Sequence, residues 1–155
     1  MTKVLYTAHA RVTGGRVNGH GRSSDGQLEV DLRVPEEMGG QGGGTNPEEL
    51  FAVGYAACFE GALATVARRR RLDAGDATID SAVSLFPTGD GAFELSVTLD
   101  VALPSVDDRE TAAELVRAAH QVCPYSNATR GNITVDLLLG GRPVGAGTQD
   151  PPASR

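Results

Sequence analysis

Residues 45–71, TNPEELFAVGYAACFEGALATVARRRR, constrain the fold more than any other part of the chain. The segment opens with the chemistry of a helix start. Thr45 and Asn46 can each accept from the free N–H groups of a first turn, Pro47 suits that turn, and Glu48 and Glu49 favour its positive end. It closes on four arginines, cations set against the negative end of the helix dipole. Between them, residues 50–67 are apolar almost all the way round, the pattern of a helix buried on most sides. Ala52, Gly54, Ala56, Ala57, Gly61, Ala62 and Ala64 are small enough to let neighbouring backbones come close, and Cys58 sits in their midst. The run approaches the length that crosses a bilayer. Glu60 inside it, the dilution by small residues and the lack of a second such run argue for a core helix instead.

A chain of 155 residues is long enough to bury a core as one domain, expected over residues 1–140 and followed by a disordered tail over 141–155. A net charge of −6 and a pI near 5.0 argue against nucleic acid or an anionic membrane surface as partner. The residues after Met1 form no apolar signal region, so the expected compartment is the cytoplasm. Thiols there stay reduced. The two cysteines therefore point to catalytic or redox use, or to inert packing, rather than to a structural staple.

Alternation of Val4, Tyr6, Ala8, Ala10 and Val12 with polar neighbours predicts a first strand, and Thr13-Gly14-Gly15 a hairpin turn that returns through residues 16–23. Asp25-Gly26 turns again into a strand with Leu28, Val30, Leu32 and Val34 on one face. Residues 36–44 form a glycine-rich loop. Its GGQGGG lacks the lysine and hydroxyl that a phosphate-binding loop requires. After the central helix, Ile79, Ser81, Val83 and Leu85 share a strand face, and Phe93, Leu95, Val97, Leu99, Val101 and Leu103 make the longest alternating run. Ser105 or Asp107 can cap a second helix with Ala112, Leu115, Val116 and Ala119 as its apolar stripe, ended by Pro124. Ile133, Val135, Leu137 and Leu139 supply a last strand. The order βββ-α-ββ-α-β with hairpins throughout predicts an α+β fold, antiparallel sheets around two central helices.

A nucleophilic thiol must become a thiolate, which burial opposes and a nearby cation favours. Arg16, directly after a Gly-Gly turn that can aim a side chain, is the best-placed cation. The histidines His9, His20 and His120 form no close-spaced ligand pair with the cysteines, so no metal is expected. A Cys–His hydrolase pairing Cys58 with His120 is compatible with the spacing, since such groups assemble in space. A carrier of apolar ligands, its cysteines incidental, is the non-enzymatic alternative.

TNPEELFAVGYAACFEGAL and VCPYSNATRGNI, with TGGR ahead of a DG hairpin, closely resemble the organic hydroperoxide resistance proteins of the OsmC-like superfamily. The resemblance runs from about Val4 to Leu139. It implies an OsmC-like fold, a cytoplasmic thiol-dependent peroxidase and an intertwined homodimer. It implies Cys58 as the peroxidatic cysteine, Cys123 as the resolving one, Arg16 as the cation that stabilises the thiolate and Glu48 as the carboxylate that holds Arg16. It also implies dihydrolipoyl groups of lipoylated proteins as the external reductant, with no bound cofactor. The osmotically induced branch of the superfamily would share the cysteines but favour other substrates. Phe51, Tyr55 and Phe59 around Cys58 suit a bulky organic peroxide better than hydrogen peroxide.

Glu48 and Cys58 are ten positions apart, about 15 Å along a straight helix. One arginine head reaches both only if the helix breaks, the arginine extends, or two subunits contribute. The helix apolar on all sides favours the last, a site at a dimer interface.

Overall fold

A computed structural model describes residues 3–145. The chain forms two compact units, one up to Leu50 and one from Phe51 onward.

The first unit is a three-stranded antiparallel sheet of β1 (Ala10–Thr13), β2 (Gly19–Ser23) and β3 (Glu29–Leu32), in that order. Thr13 pairs with His20, and Gly19 with Leu32. The predicted strand from Val4 is shorter than its alternation suggested, because residues before Ala10 have no ladder partner. The turn between β1 and β2 requires glycine at position 14: φ is +74° and a Cβ there would lie 2.4 Å from the Asn18 carbonyl oxygen. A 3-10 turn, Glu36–Met38, follows β3, and Leu32 makes a parallel bridge to Thr45.

Helix α1, Pro47–Arg69, begins where the sequence places it. Asn46 Oδ1 accepts the Glu49 N–H at 2.9 Å, and Thr45 Oγ1 donates to the Glu49 carboxylate at 2.6 Å. At its far end Arg71 takes a left-handed φ of 58°, and the Leu72 N–H closes on the Ala67 carbonyl.

In the second unit, β4 (Thr78–Pro87), β5 (Phe93–Ala102), β6 (Thr134–Leu139) and β7 (Arg142–Pro143) form one sheet in that order. Helices α2 (Arg109–Val122) and α3 (Pro124–Thr129) lie between β5 and β6 in sequence. Val97, Leu99 and Val101 of β5, Leu115, Val116 and Ala119 of α2, and Tyr55, Phe59, Leu63 and Val66 of α1 make one core.

Five expectations change. β5 and β6 pair in parallel, Val97 opposite Val135, where antiparallel sheets were expected. The long helical crossover between them explains this, since a hairpin cannot join parallel neighbours. The N-cap of α2 is Asp108, which accepts from the Thr111 N–H at 2.8 Å, and not Ser105 or Asp107. Pro124 does end α2, but it also opens α3, so the described residues hold three α-helices rather than two. Ordered chain continues past residue 140, because β7 pairs with β6; residues 146–155 of the expected tail lie outside the described residues. Finally, α1 is buried on one face only. Val53 is 71 % exposed, and Ala57, Gly61 and Ala64 follow it on the open side.

Candidate functional site

Helix α1 presents Cys58 from its middle, and the junction of α2 and α3 presents Cys123. Cys123 is at once the C-cap of α2 and the N-cap of α3, with φ −65° and ψ 122°, an extended residue between two helical ones. Its neighbour in sequence, Pro124, has no N–H to satisfy and suits the first position of α3. This kink delivers the Cys123 thiol, with no exposed surface, to 3.5 Å from the Cys58 sulfur, to which it donates. Both cysteines are free, and Cys58 is partly exposed. A disulfide needs about 2.05 Å between sulfurs. The pair is thus poised as a reduced dithiol that a small movement would close.

Burial pushes the Cys58 thiol above its ordinary pKa, and the neighbouring Cys123 pushes in the same direction. The Tyr125 backbone N–H, in the first turn of α3, donates to Cys58 and opposes them. The net shift is upward.

Three aromatic rings cluster beside the thiols. Phe51 meets Tyr55 edge-on at 5.8 Å between centroids and stacks on Tyr125 at 6.0 Å; Tyr55 and Tyr125 lie 5.7 Å apart. Tyr125 rests on Gly54, where a Cβ would meet the ring hydroxyl at 3.3 Å. Of the residues expected to line a substrate pocket, Phe51 is half-buried and faces this cluster. Phe59 is fully buried in the core, so it offers no surface to a ligand. Tyr55 is fully buried as well, and its hydroxyl is engaged by Ser126 at 3.0 Å and Thr129 at 3.1 Å.

His120 does not pair with a cysteine. Its Nδ1 lies 2.8 Å from the Ser126 hydroxyl, and burial together with the charge of Arg130 lowers its pKa. The Cys58–His120 hydrolase arrangement is therefore not formed.

In the first unit, Arg16 leaves the β1–β2 turn and donates to Glu48 Oε2 at 2.6 Å, with side-chain exposures of 38 % and 18 %. Arg16 Nε is buried with no partner among the described residues. The expected arginine–carboxylate pair is in place. Glu48 lies in the first turn of an unbroken α1, so no helix break brings it toward Cys58.

Among the described residues no group of three His, Cys, Asp or Glu side chains is placed to hold a metal ion. Two cavities, of about 640 Å³ beside Arg109, Arg117 and Val144 and about 580 Å³ beside His9, His20 and Arg22, touch neither cysteine. Tyr125, Ser126 and Thr129 are the site neighbours that residue-by-residue reading missed. Their signal was the length of the motif that follows Cys123.

The family model described as OsmC-like protein matches residues 40–138. The chain is 55 % identical over 139 residues to the organic hydroperoxide resistance protein of Xanthomonas axonopodis pv. citri, covering 88 % of this chain and 96 % of that one. The crystal structure of OhrB, the organic hydroperoxide resistance protein of Bacillus subtilis, matches with a TM-score of 0.79 at 49 % identity, over 88 % of this chain and 99 % of that one. A putative organic hydroperoxide resistance protein of Vibrio cholerae, solved with captopril in one of its active sites, matches with a TM-score of 0.85 at 46 % identity, over 91 % and 96 % of the two chains.

Proposed function

Since this chain belongs to the OsmC-like family, among its organic hydroperoxide resistance proteins, we propose that it is a cysteine peroxidase that reduces organic hydroperoxides to alcohols. The observation that carries the reading is the pair of free thiols 3.5 Å apart, one partly exposed and one buried.

In the proposed cycle, the Cys58 thiolate attacks the outer oxygen of the hydroperoxide. The O–O bond breaks, the alkoxide takes a proton and leaves as alcohol, and Cys58 becomes a sulfenic acid. Cys123 then attacks that sulfur. The S–O bond breaks, an S–S bond forms, and water leaves with the Cys123 proton. A dithiol of the dihydrolipoyl class, carried on a lipoylated protein, restores both thiols by exchange and becomes a disulfide itself.

The upward shift of the Cys58 pKa leaves a need for a cation, because only the thiolate attacks. Arg16, oriented by Glu48, is the proposed cation; a guanidinium keeps its charge when partly buried. The half-buried Phe51 and the exposed Tyr125 are the proposed apolar wall for the alkyl group.

The proposed assembly is a homodimer. Val12, Val17, Leu28 and Val53 are 59 %, 62 %, 48 % and 71 % exposed in the single chain, apolar side chains that a second copy would cover.

The test is consumption of cumene hydroperoxide by the pure reduced protein with no added reductant. One equivalent per subunit is expected. Cys58→Ser should consume none above background, while Cys123→Ser should consume one and leave a sulfenic acid on Cys58, visible by trapping and mass spectrometry. No consumption by the wild-type protein, or a sulfenic acid on Cys123, would overturn the reading or its assignment of roles.

A further inference from the structure

Cys58 and Cys123 form one rung of a two-rung contact between α1 and α3. Tyr55 precedes Cys58 by three positions, and Ser126 follows Cys123 by three, so each lies about one helical turn from its cysteine. The second rung is the bond from the Tyr55 hydroxyl to Ser126 Oγ at 3.0 Å, with both residues fully buried. Ser126 in turn meets His120 Nδ1 at 2.8 Å. His120 is held below its ordinary pKa by burial and Arg130, so it is neutral near pH 7 and offers one nitrogen as acceptor. Tyr55 donates to Ser126, and Ser126 shares a second hydrogen bond with His120 Nδ1 whose direction is set by the imidazole tautomer.

The far end of α3 is tied as well. Arg130 bonds the His120 carbonyl at 2.7 Å and Asn127 Oδ1 at 2.8 Å. A helix of six residues is marginal by itself, so side-chain bonds rather than its own ladder fix where it sits. The residue they fix is the one that starts it, Cys123.

We propose that the Tyr55–Ser126–His120 chain is a positioning device that holds Cys123 within closing distance of Cys58, so that the disulfide forms before Cys58 is oxidised further. The proposal rests on the peroxidase reading above. Closure from 3.5 Å to about 2.05 Å is a movement of side chains, provided α3 stays in place. If α3 loosens, the effective concentration of one thiol at the other falls. The Cys58 sulfenic acid then meets a second hydroperoxide, which oxidises it to the sulfinic acid and leaves as alcohol, a dead end for the cycle. Tyr55 and Ser126 act here through Cys123 and touch no reacting atom.

Equilibration with oxidised and reduced dithiothreitol tests this without any peroxide. In that exchange two protein S–H bonds are lost, one S–S bond forms, and two electrons and two protons pass to the oxidised dithiothreitol. The disulfide-to-dithiol ratio at fixed buffer should fall about fivefold or more in Tyr55→Phe, which removes the hydroxyl's bonds to both Ser126 and Thr129, each on the scale of a buried hydrogen bond. It should fall comparably in Ser126→Ala, which cuts the bonds to both Tyr55 and His120. With excess cumene hydroperoxide, the ratio of sulfinic acid to disulfide should rise correspondingly. Val97→Ala, a cavity on the β5 side of the core that removes none of these hydrogen bonds, should lower Tm and leave both ratios at wild-type values. Wild-type ratios in Tyr55→Phe would overturn the proposal, as would an equal shift in Val97→Ala. Should Ser126→Ala fail to fold, Tyr55→Phe keeps the Ser126–His120 bond and decides alone. A chain that ignores hydroperoxide sinks the peroxidase reading, while the dithiothreitol equilibrium still judges the positioning.

Discussion

The first fifty residues and residues 51–145 use their apolar side chains in opposite ways. In the second region Tyr55, Phe59, Leu63, Leu99, Leu115 and Val116 have no exposed surface at all. In the first, Leu32 is the buried apolar side chain among the described residues, while Leu5, Tyr6, Val12, Val17, Leu28 and Met38 are between 48 % and 97 % exposed. Every residue of β1 is exposed. The second region is a sheet with helices on it and encloses its own core, so its thiol pair is complete within one chain. The first is a sheet of three short strands carrying an ion pair, and such a sheet is stable only with an apolar face covered. The proposed cover is a second copy. The chemistry divides the same way: a pair of sulfurs, one buried and one partly exposed, in one region, and an arginine with its carboxylate in the other.

The largest effect should separate the two regions by stability. Phe59→Ala opens a cavity in the core and should cost about 3–5 kcal/mol in urea unfolding. Val12→Asp changes a side chain that is 59 % exposed and would cost under about 0.5 kcal/mol if the chain acts alone. With a second copy as cover, Val12→Asp should instead weaken association about tenfold or more in sedimentation equilibrium, the scale of an interface side chain. Unchanged association in that variant would leave β1 uncovered and blunt the contrast drawn above.

The same contrast governs what could be read from residues alone. Asn46, Pro47 and the two glutamates mark the start of α1 because capping is local chemistry, and β5 is marked by its own alternation. The parallel pairing of β5 with β6 was missed because no single strand encodes its partner; the signal was the helical connection, not the strands. The closeness of Cys58 and Cys123, 65 positions apart, is a product of α1 and α3 packing and is invisible to spacing. Phe59 reads like Phe51 in sequence, an aromatic near the cysteine, but eight positions further along α1, about two helical turns, it lies in the core. Ser126 and Thr129 look like ordinary polar residues of a short helix. Only their burial against Tyr55 reveals that they are part of the site's support.

A smaller effect concerns the link between the regions' chemistries. If Arg16 is the cation for the Cys58 thiolate, Arg16→Ala should raise the thiol's pKa by about 1 unit, the low end for loss of an opposite charge. The sign follows from the reactive form. A higher pKa means less thiolate at neutral pH, so the rate with hydroperoxide should fall about tenfold there and recover in alkali, where every thiol is ionised. Arg16→Lys should restore little, since an ammonium cannot bond Glu48 and sulfur with one planar fork. A thiolate titration, followed by ultraviolet absorbance, that ignores Arg16→Ala removes this residue from the mechanism and leaves the thiol region to act by itself.

The smallest effect lies within the first region, among exposed side chains of its sheet. His20 on β2 reaches across to β3 with both ring nitrogens, Nδ1 to Asp31 at 2.9 Å and Nε2 to Glu29 at 3.1 Å. Both contacts can be donated together only by the imidazolium. The bond to Asp31, then that to Glu29, raises the His20 pKa above its ordinary 6.5, and the bond from His20 holds Asp31 below its ordinary 3.8. A raised histidine stabilises fully below 6.5 and loses its contribution as pH climbs through the folded value. A depressed aspartate stabilises above 3.8 and loses its contribution as pH falls through the folded value. The clasp is therefore complete between pH 3.8 and 6.5. Arg22 lies beside Glu29, Arg33 near Asp31, and Arg11 faces Arg22 from β1. Amide exchange at β2 and β3, corrected for the intrinsic rate, should show protection that fades on the alkaline side of this window. In His20→Gln the profile should be flat there. Matching profiles in the two proteins would mean the clasp adds nothing to the sheet, and that the cover alone holds this region together.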